Sequence, residues 1–162
     1  KSLNLNIEVH LMTEEPQNLV ERWFRVGAHR VILHVETIQN LEYFSKFGND
    51  KLAIASNSET PVEKILEYTP KIHRFIFLAV NPGWAGQVFN PLVLEKIKVL
   101  RESAPGAIIE VDGGINEDTA RKCKEAQVDI VVSASYLLMN ESLTPEEAYK
   151  TLLNIIKQGC FT

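Results

Sequence analysis

The sequence predicts a parallel α/β fold, and two of its features carry that prediction. Short runs rich in Val, Ile and Leu alternate regularly with longer segments of helical period, and the polar residues of interest fall where the apolar runs end. Strands buried on both faces and separated by helices require a parallel sheet, either open or closed into a barrel. Both arrangements build their sites at the C-terminal ends of the strands, so position alone does not separate them.

The elements follow in order. LNLNIEVHL (3–11) is the first strand segment, and PQNLVERWFRVG (16–27) is an amphipathic helix that Gly27 should stop. RVILHVE (30–36) is followed by TIQNLEYFSKFG (37–48), with Gly48 as its stop. KLAIAS (51–56) leads to PVEKILEYTPKI (61–72), and RFIFLAV (74–80) to NPLVLEKIKVLRESAP (90–105); Pro61 and Pro91 sit just inside their helices. AIIEVDG (107–113) precedes NEDTARKCKEAQ (116–127), where Asn116 is placed to cap. DIVVSASYL (129–137) precedes TPEEAYKTLLNIIKQ (144–158), where Thr144 and Glu147 have capping-box spacing. No linker or composition shift interrupts the pattern, so residues 1–162 are expected to form one domain. No GxGxxG follows the first strand, which argues against a dinucleotide-binding sheet. A closed barrel needs about eight strands, and the pattern supplies about six.

Composition narrows the function classes. The 162 residues are 45% hydrophobic and 23% charged with a formal charge of −4, the balance of a soluble globular chain. No apolar run approaches the roughly 18 residues that cross a bilayer, and no leader pattern precedes the first strand, so a cytoplasmic protein without a membrane partner is expected. A mildly acidic balance without a Lys/Arg block argues against nucleic acid. Cys123 and Cys160 are far apart with no CxxC spacing and read as reduced thiols. The chain opens on Lys1 with few residues before the first strand, and an upstream segment is expected to have been removed.

At the strand ends lie His10, His34 with Glu36, Asn57, Asn81, Asp112, Ser133 and Ser135. Asp112 poses a chemical question, because a carboxylate at a strand tip loses solvation unless a metal, a proton or a donor compensates it. Trp23 is expected in the core on its helix, Asn57 and Asn81 are expected to fix loops, and His29 and His73 fall on the opposite rim.

Five motifs carry a family resemblance: EVHLM (8–12), HVE (34–36), VNPGWAGQVF (80–89), EVDGGI (110–115) and VVSAS (131–135). In this order, each capping a consecutive strand, they resemble the ribulose-phosphate 3-epimerases over nearly the whole chain. The resemblance implies a TIM-type (β/α) barrel, joined at the family's third strand-helix unit, so that the chain reads as a partial barrel of about six units. It implies an isomerase of carbohydrate metabolism, in the pentose phosphate pathway, that moves a proton at carbon 3 between ribulose 5-phosphate and xylulose 5-phosphate.

By the same resemblance Asp112 is a catalytic acid and a metal ligand, and His10 is a second ligand for a divalent ion (Zn, Fe, Mn or Co). Only these two of the family's four ligands have counterparts, and the acid for the opposite face has none. Gly113 and Gly114, with Ala134 and Ser135, match the turns that grip the substrate phosphate; Ala134 stands where the family usually has glycine. The loop with Gly83, Trp84, Ala85 and Gly86 matches the lid, with Trp84 for a common Phe and Ala85 for another glycine. Met12, Leu78, Asn81 and His34 are expected to line the site, Leu78 replacing a usual methionine. A ketopentose phosphate is the implied partner. The chain alone is expected to be weakly active or inactive, with a second copy or a complementing N-terminal fragment covering its open strand edges. The alternatives are a non-catalytic phosphosugar-binding module and an assembly subunit.

Overall fold

A computed structural model describes residues 5–84 and 86–157. All six predicted strands form: β1 (Glu8–Leu11), β2 (Arg30–His34), β3 (Leu52–Ser56), β4 (Arg74–Leu78), β5 (Ile108–Asp112) and β6 (Ile130–Val132). Every neighbouring pair is parallel, in the order β1-β2-β3-β4-β5-β6. Helices α1 (Gln17–Arg25), α2 (Glu42–Ser45), α3 (Val62–Leu66), α4 (Leu92–Ser103), α5 (Glu117–Glu125), α6 (Ser135–Leu138) and α7 (Pro145–Lys157) complete the alternation. The sheet is open among the described residues, with β1 and β6 as its edges, and it curls as an incomplete TIM-type barrel.

Side chains alternate between two faces of the sheet, and the two faces have different chemistry. One set, including Val31, Leu33, Leu52, Ile54, Phe75, Phe77, Ile109 and Val111, packs outward against Val20 of α1, Ile65 of α3, and Val93, Ile97 and Leu100 of α4. These side chains are almost fully buried, each worth roughly 1.5–3 kcal/mol of transfer free energy. The opposite parity faces the barrel axis, where Ile32, Ala53, Ala55 and Ile76 form a separate small cluster. Below that cluster the inner positions are charged, with Arg30 of β2 ion-paired to Glu8 of β1. Above it they are His10, His34, Leu78 and Asp112, so one parity rule carries the candidate site residues to one face.

The helix ends explain the strand spacing. After α1, Gly27 adopts φ 98°; its N–H donates to the Phe24 carbonyl at 3.1 Å and that of Ala28 to Trp23 at 3.0 Å, a Schellman stop. α5 ends the same way, with Gln127 at φ 61° in the glycine position. Asn116 caps α5 as expected, in a reciprocal box with Thr119, and Thr144 with Glu147 caps α7. At the opposite end of the strands Arg101 clamps three segments. It donates to the carbonyls of Ala107 and Gln127 and to Asp129 Oδ2, each at 2.7 Å, and Asp129 also accepts the Ile109 N–H.

Four expectations need correction. The 37–48 segment yields only α2, because the Asn40 side chain takes the Glu42 N–H at 2.9 Å and delays the start while Gly48, at φ 92°, ends it. The 61–72 segment is helical only to Leu66; Thr69 precedes Pro70, which disfavours helix at that residue. Trp23 is 40% exposed rather than core, since α1 turns Val20 and Phe24 inward, one helical turn apart, and leaves Trp23 on its flank. The last strand stops at Val132 and the Ser135 segment is a helical turn. Val132 pairs with Asp112, beyond which the β5 chain turns away and offers no partner.

Candidate active site

The carboxyl ends of β4, β5 and β6 enclose a cleft of about 190 Å³, small beside the roughly 300–1,000 Å³ of drug-sized pockets and suited to a small metabolite. It gathers most of the residues expected there: Asp112, Gly113, Gly114, Ala134 and Ser135 on one side, Asn81, Gly83, Trp84 and Gly86 on the other, with Met12 and Leu78 at the wall. Met12 follows β1, yet it shares the cleft with Asp112 of β5, so the sheet curls far enough to bring its first strand end near its fifth. Ala85 lies outside the described residues. His10 and His34 do not line the cleft; they meet each other beside it.

Asp112 ends β5 between Leu78 and Val132 in register, and its carbonyl accepts the Ala79 N–H at 2.8 Å. Burial raises its carboxyl above the ordinary value of 3.8, so the neutral form is favoured relative to water. It is the one ionisable side chain among the described residues of the cleft. The two glycines that follow adopt φ 104° and 65°. Packing also demands them: a Cβ on Gly113 would come within 2.4 Å of Val80 Cγ2, and one on Gly114 within 2.7 Å of the Phe89 backbone. Ser133 Oγ donates to the Ile115 carbonyl at 3.1 Å and ties the β5 and β6 turns together. Ala134 sits at φ −111°, so its methyl imposes no backbone strain.

Gln87 is a cleft residue that sequence reasoning missed. Its side-chain amide donates to the carbonyls of Asn81 (2.7 Å) and Trp84 (2.9 Å), strapping the loop in which Trp84 is 75% exposed. Its place inside the quoted loop motif was the signal available.

Beside the cleft, Nε2 of His10 and Nε2 of His34 lie 2.9 Å apart, and His34 Nδ1 is 3.2 Å from Glu36 Oε2. Glu36 Oε1 accepts the Asn57 N–H at 2.9 Å and the Thr60 hydroxyl. Burial pushes the Glu36 carboxyl up, but the hydrogen bonds from His34, Thr60 and Asn57 outweigh it and bring it down to about 2. Burial, and then the neighbouring His34, lower His10 to about 4.

His10 and Asp112, the two ligands expected of a metal site, stand four strands apart in the sheet order. The described residues contain no group of three or more His, Cys, Asp or Glu side chains that could hold a metal ion. These two side chains do not by themselves make a zinc-type site, which takes three or more protein ligands.

A curled parallel strand-helix repeat with its polar residues at the strands' carboxyl ends defines a TIM-type barrel chain with a strand-end site. The profile of the ribulose-phosphate 3 epimerase family matches residues 1–138. The chain belongs to this family. Ribulose-phosphate 3-epimerase of Chlamydia muridarum is 38% identical over 157 residues, covering 91% of this chain and 68% of that protein. That of Schizosaccharomyces pombe is 30% identical over 155 residues, covering 94% and 67%. Among solved structures, thiamine phosphate pyrophosphorylase from Pyrococcus furiosus has a TM-score of 0.59 at 20% identity, covering 93% of this chain and 84% of that one. A mandelate oxidase mutant gives 0.58 at 14%, covering 94% and 56%. At these identities the likeness is one of fold.

Proposed function

We propose that the chain carries the phosphate-binding and one-acid part of an epimerase acting at carbon 3 of a ketopentose 5-phosphate, interconverting ribulose 5-phosphate and xylulose 5-phosphate. The supporting observation is that Asp112, a half-buried carboxyl, shares one cleft with the Gly113-Gly114 and Ala134-Ser135 turns. In this reading the N–H groups of Gly113 and Gly114 meet the phosphate together with Ser135, ahead of a helix start whose Asn116 and Thr119 N–H groups are taken by the capping box. The loop with Gly83 and Trp84 covers the sugar.

Asp112 as carboxylate removes the carbon 3 proton, leaving an enediolate, and as the acid returns a proton to the same face. Inversion needs a second acid on the other face, and no other ionisable side chain lines the described cleft. The chain alone is therefore a weak or inactive epimerase. The family resemblance implies a divalent ion, but His10 and Asp112 do not make a site for one unaided, and no step is assigned to it. A second copy, or a segment bearing further strand-helix units, is proposed to cover the edges of β1 and β6, which unpaired strand edges favour.

The test is solvent deuterium exchange at carbon 3 of ribulose 5-phosphate, with phosphosugar titration alongside. Exchange is expected far below rates of the family's complete enzymes. Ser135→Asp, through added negative charge, is expected to weaken binding about tenfold or more. Unchanged affinity removes the phosphate site, and brisk Asp112-dependent formation of xylulose 5-phosphate by the chain alone overturns the one-acid reading. Binding without any exchange favours the second reading, a phosphosugar-binding module, which the single ionisable group of the cleft also supports.

A further inference from the structure

The loop after β4 fixes which way the side-chain amide of Gln87 points. Its Nε2 lies 2.7 Å from the Asn81 carbonyl oxygen and 2.9 Å from that of Trp84. A carbonyl oxygen only accepts, and a primary amide nitrogen carries two hydrogens, so both hydrogens are committed to the loop. The amide turned over would set its own oxygen against two carbonyl oxygens, which repel, so the network determines the orientation. Oε1 is the polar atom left over, and it accepts no hydrogen bond from the described residues.

The cleft gives that oxygen a use. Gln87 is half-buried and lines it together with Asp112, Gly114 and Ser135. Ser133, on the same wall, spends its hydroxyl hydrogen on the Ile115 carbonyl. Asn81 is exposed, and its side-chain amide has no hydrogen bond to the described residues that would fix its direction. The Gln87 oxygen is thus a neutral acceptor already ordered before a ligand arrives, and an ordered group loses little entropy on binding. A phosphate dianion offers Oε1 only further acceptors, whereas a hydroxyl offers it a hydrogen. The oxygen therefore suits the carbon chain of a ligand rather than its phosphate.

We propose that Gln87 is a substrate-binding residue whose Oε1 accepts a hydrogen bond from one hydroxyl of the sugar phosphate, so that the cleft selects a polyhydroxylated phosphate ester over one lacking that hydroxyl. The choice of a sugar rests on the proposed function; the orientation of the amide does not. One such bond is worth about three- to tenfold in affinity, and it is read as discrimination against the analogue without the hydroxyl.

The test is titration of the full chain, as parent and as Gln87→Met, with ribulose 5-phosphate and with its analogues lacking the hydroxyl at carbon 1, 3 or 4. Methionine keeps the length of the side chain without either polar atom. Loss of the loop strap alone weakens all four ligands in proportion, whereas loss of the acceptor erases the penalty for one analogue. The parent is expected to bind one analogue about three- to tenfold more weakly than ribulose 5-phosphate, and Gln87→Met to close that gap to within about twofold. In the parent labelled with ¹³C at its glutamine side-chain carbonyls, the Gln87 resonance is expected to shift with ribulose 5-phosphate and to stay in place with inorganic phosphate. Gaps that all persist in a folded Gln87→Met variant, or no shift in the parent, overturn the proposal; should the variant not fold, the labelled parent decides. A gap erased without any exchange at carbon 3 overturns the epimerase reading and leaves this one standing. Exchange with every gap persisting does the reverse, and no binding of ribulose 5-phosphate overturns both.

Discussion

Gly114 lies against Phe89 so closely that a Cβ in place of its hydrogen would stand 2.7 Å from both the backbone nitrogen and the α-carbon of Phe89. Its φ of 65° is unfavourable for any residue with a side chain. The turn after Asp112 is thus set by packing against the chain that returns from the Asn81–Gln87 loop, as well as by any ligand it holds.

Gly114→Ala should therefore destabilise the fold by about 2–4 kcal/mol, combining left-handed strain with overpacking against backbone that cannot rotate away. Urea unfolding measures it. A loss below half a kcal/mol would mean that the turn and the Phe89 segment move apart freely.

Stability should fall with acid in two stages. His10 titrates at about 4 when folded against an ordinary 6.5. The unfolded chain therefore takes up the proton first, and stability present above pH 6.5 drains as pH falls through 4. Glu36, at about 2 against 4.5, loses its contribution between 4.5 and 2 by the same sign. The His10 part amounts to about 3 kcal/mol when complete; the Glu36 part is smaller, because Glu36 is exposed and solvent screens its carboxylate. Urea midpoints from pH 8 to 3 should decline accordingly, and Glu36→Gln should flatten the lower stage. A midpoint constant from pH 7 to 4 contradicts the His10 part.

Asp112 should behave oppositely. Its raised folded value makes ionisation costlier in the native chain, a penalty absent below the ordinary 3.8 and growing as pH rises through the folded value. Asp112→Asn is expected to unfold at a higher urea concentration than the parent at pH 7 and at the same concentration at pH 3. Conversion to xylulose 5-phosphate should change little in the chain alone, and fall about 10²- to 10⁴-fold in any form completed by another segment.

Gln127 occupies the left-handed stop after α5 that Gly27 occupies after α1. Gln127→Gly should raise stability by about 0.5–1 kcal/mol, and Gly27→Gln should lower it by a similar amount. A Cβ at Gly27 would meet nothing within 4 Å, so the second effect isolates the backbone. Thermal or urea unfolding of both variants checks the pair.

Much of the architecture was legible because it is local. The apolar runs ending at Ser56 and Leu78 read as doubly buried strands, the run ending at Leu11 alternates apolar and polar residues as a half-buried edge strand does, and Asn116 and Thr144 cap through residues three positions away. The motif order located the cleft, since each motif lies at the end of its own strand. The boundaries that went astray were settled by longer-range facts: Ser135 turns helical because β5 has already left the sheet, and Trp23 is exposed because Phe24 stacks on Phe47, ring centroids 5.0 Å apart.

The alternation of strands and helices, their capping, and which residues sit at strand ends were determined by the sequence itself, because each depends on side chains within a few positions of one another. What only the tertiary structure decided is which of those ends meet. His10 and His34 are 24 positions apart, and Glu36 meets Asn57 and Thr60 across similar separations. Arg101 reaches Asp129 only because two strands lie in parallel register. No periodicity encodes such contacts; strand parity puts these side chains on one face, and the curl of the sheet sets their distances.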